Sequence, residues 1–411
     1  MITYSQGDGP MMKGNKVLKA MLAVFLLWLS TGCSNRRELN DLAITVGLGI
    51  DKMDTDQYRV SAQVVEPGEV AEKSGHGRSP AILYSETGAT VMEALRKMTK
   101  SSPRKMYLAH LRVLIIDEKL ARDGINEVVD VMFRGHELRT DFYVAIAKGR
   151  RAEEILKVMT PLEKLPAVMI NKAMVTSQKV WAPSLAVTID KLIADLISDG
   201  KNPVLASVEL KGDVNSGNNK SNVEFIDVPA VISSSMLAAF KEDKLRGWLN
   251  EDESKGHNYI VNKISSTIGY LSCPKGGKIA VEVVRSDTKV KTRIEDGDPI
   301  ADIEVRIKQN VSEVSCKIDL TKMETIAELD DLSNKKVKSF IVSAINKAQQ
   351  QLKSDIFGIG QSLHRTNPKE WKKLQRNWDE HFSNMQINVE VKAHTTFLGT
   401  ITTSLQNNAK E

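Results

Sequence analysis

The segment from Lys278 to Val314, KIAVEVVRSDTKVKTRIEDGDPIADIEVRIKQNVSEV, constrains the fold more than any other part of the chain. It reads as strand, and Asp296-Gly297 is a dipeptide that suits the left-handed positions of a tight turn, so two long strands are expected to fold back as a hairpin. A sheet built this way needs something apolar laid over it. From Lys335 to about Gly358 the residues Val337, Ile341, Ala344, Ile345, Ala348, Leu352 and Ile356 keep helical spacing, which predicts one long amphipathic helix packed on that sheet. Gly358 is placed as the C-cap of this helix, where φ > 0 costs glycine nothing. A shorter helix over WKKLQRNWDEHF follows, and INVEVKAHTTFLGTIT is expected to close the chain as a β-hairpin.

The first half alternates strand and helix. LAITVGLGID (42–51) and YRVSAQVV (58–65) are rich in β-branched residues and flank a turn, which predicts a hairpin. A polar Gly/Pro loop (67–80) precedes a helix with Val91, Leu95 and Met98 on one face, ended by Pro103. YLAHLRVLIID (107–117) is expected as a buried strand, EKLARDGINEVVDVMFR as helix interrupted at Gly124, and DFYVAIAKG (141–149) as strand. A helix over 184–199 and a strand over 203–210 complete the series. KGDVNSGNNKSN (211–222) is the poorest apolar stretch and is read as an exposed loop or boundary. VPAVISSSMLAAFKEDKLRGWLN (228–250) then opens the second half as strand and turn. The fold class is therefore α+β, a mixed α/β chain of more than one domain with mixed sheets and packed helices. The expected division is a signal peptide over 1–32, an N-terminal domain over 34–205, a linker or exposed loop over 206–227 and a C-terminal domain over 228–404.

The compartment is set by one cysteine. Upstream of Cys33 lie Lys13, Lys16 and Lys19, an uncharged run from Ala20 to Leu29, and the small polar residues Ser30, Thr31 and Gly32, the order of a secretory signal peptide. The apolar run is about half of the ~20 residues a membrane-spanning helix needs. Small residues before a cysteine mark a lipobox, in which the Cys33 thiol takes a diacylglyceryl group and becomes the first mature residue. Met11 or Met12 begins a well-formed signal at once, whereas Met1 to Pro10 fits no part of one. Removing residues 1–33 lowers the net charge from +5 to +3, with Lys/Arg interleaved among Asp/Glu, so nucleic acid is not an expected partner.

No catalytic, cofactor or metal site stands out. GLGID (47–51) and GIG (358–360) lack the third glycine and following helix of a dinucleotide fingerprint, and PKGGK (274–278) lacks the spacing of a phosphate loop. Histidines 76, 110, 136, 257, 364, 381 and 394 are scattered outside any zinc motif, with His364 and His381 read as cap or packing residues. Cys273 and Cys316 sit in no CxxC array; two small buried thiols is the favoured reading and a disulfide the other. Trp371 and Trp378, seven apart, are read as core in preference to a partner-binding stripe.

Four phrases in order carry a resemblance: CSNRRELNDLAITVGLGIDK after the lipobox, SSPRKMYLAHLRVLII near 110, AAFKEDKLRGWLN near 245 and QQQLKSDIFGIGQSLHRTNPKEWKKL near 360. Together they resemble the C-subunit family of spore nutrient germinant receptors, Ger(x)C, over nearly all of the chain after Cys33. The resemblance implies a non-catalytic lipoprotein without cofactors on the outer face of the spore inner membrane. It would be held in the lipid bilayer through acylated Cys33, in a complex with membrane-embedded A and B receptor subunits. Two other classes compete. A solute-binding lipoprotein of an importer would need two similar lobes and an aromatic-lined cleft, against 5% aromatics and unlike halves here. A membrane-anchored wall hydrolase would need a carboxylate pair, which leaves no local motif.

Overall fold

The computed structural model describes residues 2–3, 19–22, 38–71, 77–135, 137–234, 236–273 and 276–397. Two units are distinguished, Met1–Leu42 and Ala43–Glu411. Of the first, residues 19–22 are helical and Leu39–Asp41 form a short 3-10 turn. Cys33 and the lipobox lie outside the described residues, as do the signal-peptide residues other than 2–3 and 19–22 and everything after Phe397.

The second unit holds two sheets. The larger contains β1 (Leu42–Lys52), β2 (Tyr58–Val65), β3 (Ala81–Gly88), β4 (Lys105–Tyr107), β5 (Val113–Asp117), β6 (Tyr143–Ala147), β7 (Val204–Gly212), β8 (Ala230–Ser233), β9 (Leu237–Lys241) and β10 (Lys244–Leu249). Its order is β10-β9-β7-β6-β5-β1-β2-β3, with β4 on β1 and β8 on β7. The central β7-β6-β5-β1 ladder is parallel and both flanks are antiparallel. VLIID of β5 is buried at every position, as a parallel strand covered on both faces must be. Helices α1 (Val91–Lys97), α2 (Glu118–Asp123), α3 (Asn126–Arg134), α4 (Ala152–Leu156), α5 (Pro166–Val180) and α6 (Ile189–Leu196) cover it.

The smaller sheet has the order β11-β12-β13-β14, with β11 Thr267–Ser272, β12 Lys278–Glu295, β13 Asp298–Val314 and β14 Gln386–Phe397. Asp296 and Gly297 take φ of 52° and 93°, the expected turn of the long hairpin. Ile279, Val281, Val283, Ile303, Val305 and Ile307 are buried. They lie toward α7 (Glu251–Ile260) and α8 (Met323–Asn346), whose Val337, Ile341 and Ala344 enter one common core with Ile303, Val305 and Ile307. Three short helices, α9 (Ile359–Thr366), α10 (Pro368–Leu374) and α11 (Trp378–Asn384), return the chain to β14.

Several expectations are corrected. The stretch 206–227, expected as linker or exposed loop, contains most of β7 and two short helical turns, Val214–Gly217 and Lys220–Val223. One of its polar residues is used inward: fully buried Asn222 donates its side-chain amide to the carbonyls of Met159 and Ala230 and accepts from Ala230 N–H. The buried strand expected over 107–117 is broken, with residues 108–112 between β4 and β5 outside any strand. The helix expected over 184–199 starts only at Ile189, because Val187 accepts a backbone bond from Val144 and Thr188 bridges Tyr143. Of the closing hairpin expected over INVEVKAHTTFLGTIT, the described part is the single strand β14, which runs parallel to β13; the returning part, after Phe397, lies outside the described residues. Cys273 and Cys316 are joined in a disulfide, Cα atoms 6.6 Å apart, tying the end of β11 to the segment after β13.

Candidate interaction sites

The phrase SDIFGIG is built around one carboxylate. After α8 the chain widens into a π turn over Lys347–Leu352 and is stopped by Lys353 in the left-handed region, φ 50°. The C-cap is thus Lys353, and Gly358, with φ 79°, is instead the N-cap of α9. Asp355, fully buried, accepts N–H bonds from Phe357 (3.1 Å), Gly358 (2.9 Å), Ile359 (3.2 Å) and Gly360 (2.8 Å), and from Trp378 Nε1 (3.0 Å). Burial pushes its pKa up, while the five donors favour the ionised form. Trp378 meets Trp371 edge-on at 5.1 Å, and His364 stacks on Trp371 at 5.6 Å, so both tryptophans and His364 serve packing.

The same turn clasps the larger sheet. Asn202 N–H donates to the Asp355 carbonyl (2.8 Å), Gln361 N–H to the Gly200 carbonyl (3.0 Å) and Ser354 Oγ to the Phe240 carbonyl (2.7 Å). A Cβ on Gly360 would stand 2.6 Å from Trp378 Nε1 and 2.8 Å from Gly200 Cα, so only glycine allows this approach. From α7, buried His257 faces Asn258 Oδ1 (3.0 Å) and the Ile356 carbonyl (3.2 Å). The Asn258 amide donates to the carbonyls of Ala182 (2.7 Å) and Ser184 (3.0 Å), which fixes its oxygen toward the imidazole. Burial holds the His257 pKa down to about 4 against these two acceptors. A cleft of about 350 Å³ beside it is lined by Lys191, Asp195, Lys201, Phe357 and Gln361.

Other buried carboxylates serve similar structural ends. Asp51, at the C-terminal end of β1, accepts from the N–H groups of Ala152 (2.6 Å) and Glu153 (3.1 Å) at the start of α4, and burial pushes it up to about 6. Burial would also raise Glu153, but its bonds from Arg59 and Lys157 outweigh this and hold it down at about 2. Asp117 caps α2 through Leu120 N–H. Among the described residues no group of three or more His, Cys, Asp or Glu is placed to hold a metal ion, and no helix is long and apolar enough to cross a membrane.

The solvent side of the smaller sheet is a lattice of charge. Across β12, β13 and β14 the rows run Arg285–Lys308–His394, Asp287–Arg306–Lys392, Lys289–Glu304–Glu390 and Lys291–Asp302–Asn388. Lys392 and Arg306 both reach Glu304, and Asn388 donates to Asp302. The first row has no acidic member.

Asp355 as the organiser of DIFGIG is not evident from the sequence reading; its signal is an aspartate followed by two glycines at the third and fifth positions. Helices α5 and α7 were likewise not expected from the sequence. Pro166 at the first turn of α5 and the Asn250/Glu253 capping box of α7 were the available marks.

Comparison with known proteins agrees with this architecture. Residues 35–210 match the family described as the spore germination protein N-terminal domain, and residues 235–398 match the spore germination B3/GerAC-like C-terminal family. The chain is 30% identical to spore germination protein KC of Bacillus subtilis, over 92% of this chain and 95% of that protein. It is 24% identical to spore germination protein B3 of the same organism, over 93% and 98%. The crystal structure of the GerBC protein superposes with a TM-score of 0.52 at 23% identity, covering 85% of this chain and 96% of that one, a likeness of fold.

Proposed function

From the premise that this chain belongs to the GerAC family of spore germination proteins, we propose that it is the non-catalytic C subunit of a nutrient germinant receptor. The observation that carries this reading is the extent of the likeness: both family regions are present in order, and the relatives align along nearly their whole length. In this reading Cys33 carries a diacylglyceryl group that holds the protein on the outer face of the spore inner membrane. The domains that follow act by contact with membrane-embedded A and B subunits. Two lipid chains suffice for stable anchoring where one is marginal. Confinement at the surface raises the local concentration of each partner, so a modest interface is enough.

Three measurements test the reading. Cys33→Ala is expected to leave the protein uncleaved or released from membranes; normal processing with retention through a high-salt wash would refute the anchor. Spores lacking the protein are expected to lose response to one class of nutrient yet germinate with dipicolinate, and a pull-down from spore membranes to recover a polytopic partner. Normal germination on every nutrient, in a strain without a redundant receptor, would refute the receptor role.

A further inference from the structure

A pocket of about 190 Å³ opens where the edge strand β11 meets α7 and α8. Its walls are aromatic: Trp181 just after α5, Tyr259 of α7, Tyr270 of β11 and Phe340 of α8. Val281, Val283 and Val337 line the interior between them. The space exists in part because residue 269 is glycine. Along β11, Thr267 and Leu271 are buried, so strand alternation puts position 269 on the same inward face. A Cβ there would meet no atom within 4 Å, and the backbone φ is not in the left-handed region, so neither crowding nor strain demands glycine. A glycine inside a strand that no local constraint requires marks a place where something else approaches the backbone closely.

Two groups at this pocket lack the partners their chemistry calls for. Gln309 of β13, 1% exposed and part of the lining, donates its amide nitrogen to Ser333 Oγ (2.8 Å) and Thr395 Oγ1 (3.1 Å). Thr395 gives its own proton to Asp330 (2.6 Å) and can only accept from Gln309, which fixes the orientation of the amide. The amide oxygen, Oε1, then accepts from no described residue. At the mouth, Lys336 Nζ lies 4.9 Å from the centre of the Phe340 ring and 5.6 Å from that of Tyr270, with no ion-pair partner among the described residues. The remaining charges there are accounted for. Lys255 lies 3.6 Å over Trp181 and is bound to Glu251 (3.2 Å), and exposed Asp252 stands in the first turn of α7, where the helix dipole favours a negative charge. Lys278, 4.7 Å over the Tyr270 ring, adds a second cation on that side.

We infer that this pocket binds a small aromatic acid. The ring lies among the aromatic and valine side chains, a hydroxyl on it donates to Gln309 Oε1, and its carboxylate meets Lys336 at the mouth. The dimensions agree. Ser333, which holds Gln309, and Lys336 are three residues apart on α8, about 5–6 Å between Cβ atoms, and the lysine stem carries its charge outward from there. An apolar cavity of about 150 Å³ takes up benzene, and a somewhat larger, open pocket has room for a ring with two polar ends. The inference is independent of the receptor reading and of the lipid anchor.

The test titrates the full-chain protein in detergent solution with para-hydroxybenzoate, followed by calorimetry. A Kd of about 1 mM or tighter is expected. Lys336→Gln, at a partly exposed position, is expected to weaken binding about tenfold, the loss of one charge-assisted contact. Para-hydroxybenzyl alcohol, which lacks the carboxylate, is expected to bind the unaltered protein about as poorly and to be indifferent to that substitution. Benzoate, which lacks the hydroxyl, is expected to bind severalfold more weakly than para-hydroxybenzoate. Gly269→Leu is expected to fill the pocket and abolish binding, while Gly269→Ala, whose methyl group meets open space, keeps the melting temperature. Absence of para-hydroxybenzoate binding up to about 10 mM overturns the inference. So does equal affinity for the acid and the alcohol, or binding untouched by both Lys336→Gln and Gly269→Leu. A preference for tyramine, which carries an ammonium in place of the carboxylate, assigns the aromatic walls to a cation beside Asp252 and likewise overturns it.

Discussion

His257 sits where its two ring nitrogens both face acceptors, and a neutral imidazole can donate to only one of them. Protonation would satisfy both, but complete burial dominates and sets the folded pKa near 4, against 6.5 when unfolded. Because the folded value is depressed, the unfolded chain binds the proton first as pH falls. Stability is therefore complete above about pH 6.5 and declines by about 1.4 kcal/mol per unit down to about pH 4, roughly 3 kcal/mol in all. Urea titrations across that window measure the slope, and His257→Gln, which keeps a donor for the Ile356 carbonyl, is expected to flatten it. Gly358 gives a second residue-scale test. Its φ of 79° strains any β-branched residue, so Gly358→Val is expected to cost about 1–3 kcal/mol, read as a lowered melting temperature. The positive φ was legible in the sequence; the role was not, because a glycine after a helix and a glycine before one look alike. What decides between them is Asp355, which gathers the following N–H groups into the start of α9.

At the scale of elements, the sequence located strands well where burial is one-sided or complete. The hairpin β12/β13 and its turn, β1, β2 and β6 all follow from β-branched content and turn residues. Helix limits were less legible. α8 begins at Met323, twelve residues before the expected start; its first turns carry Ile326, Leu329 and Leu332 at helical spacing among Glu and Asp, and these pack in a separate cluster with Cys316 and Leu320, away from the stripe that begins at Val337. Its far end ignores the continuing period at Ile356, since a π turn and left-handed Lys353 redirect the chain. The Cys273–Cys316 bridge, the less favoured of two readings, was not decidable for another reason: its partners are 43 residues apart, and only the register of β11 on β12 and of β12 on β13 brings them together. A loop of that length predicts a loss of about 2–4 kcal/mol on reduction or in a Cys273→Ser/Cys316→Ser double variant, measurable by denaturant midpoints of the oxidised and reduced protein.

For the whole molecule, the expected boundary at 206–227 divides what the structure keeps together. β7 pairs with β6 on one side and with β9 on the other, so the larger sheet draws strands from both matched family regions. Low apolar content in 211–222 was a sound sign of surface, yet it could not reveal that the chain comes back to the same sheet. A fragment of residues 34–205 ends at the second residue of β7 and is expected to be insoluble or unfolded, whereas one of residues 34–250 retains all ten strands. Circular dichroism and gel filtration of the two fragments decide the matter. If 34–205 folds cooperatively, the sheet does not depend on its later strands.

The antiparallel pairing of Val204, Leu205 and Ala206 with Ala239, Ala238 and Leu237 also sets an order of events in time. A chain emerging from a ribosome presents β7 well before β9 exists to cover its open side. During that interval an apolar strand edge is available to any neighbour, including the same edge on another nascent copy. The polar run between them governs how long the exposure lasts. Lengthening it delays closure without touching a single contact of the finished sheet, so yield on synthesis and stability once folded are separately tunable.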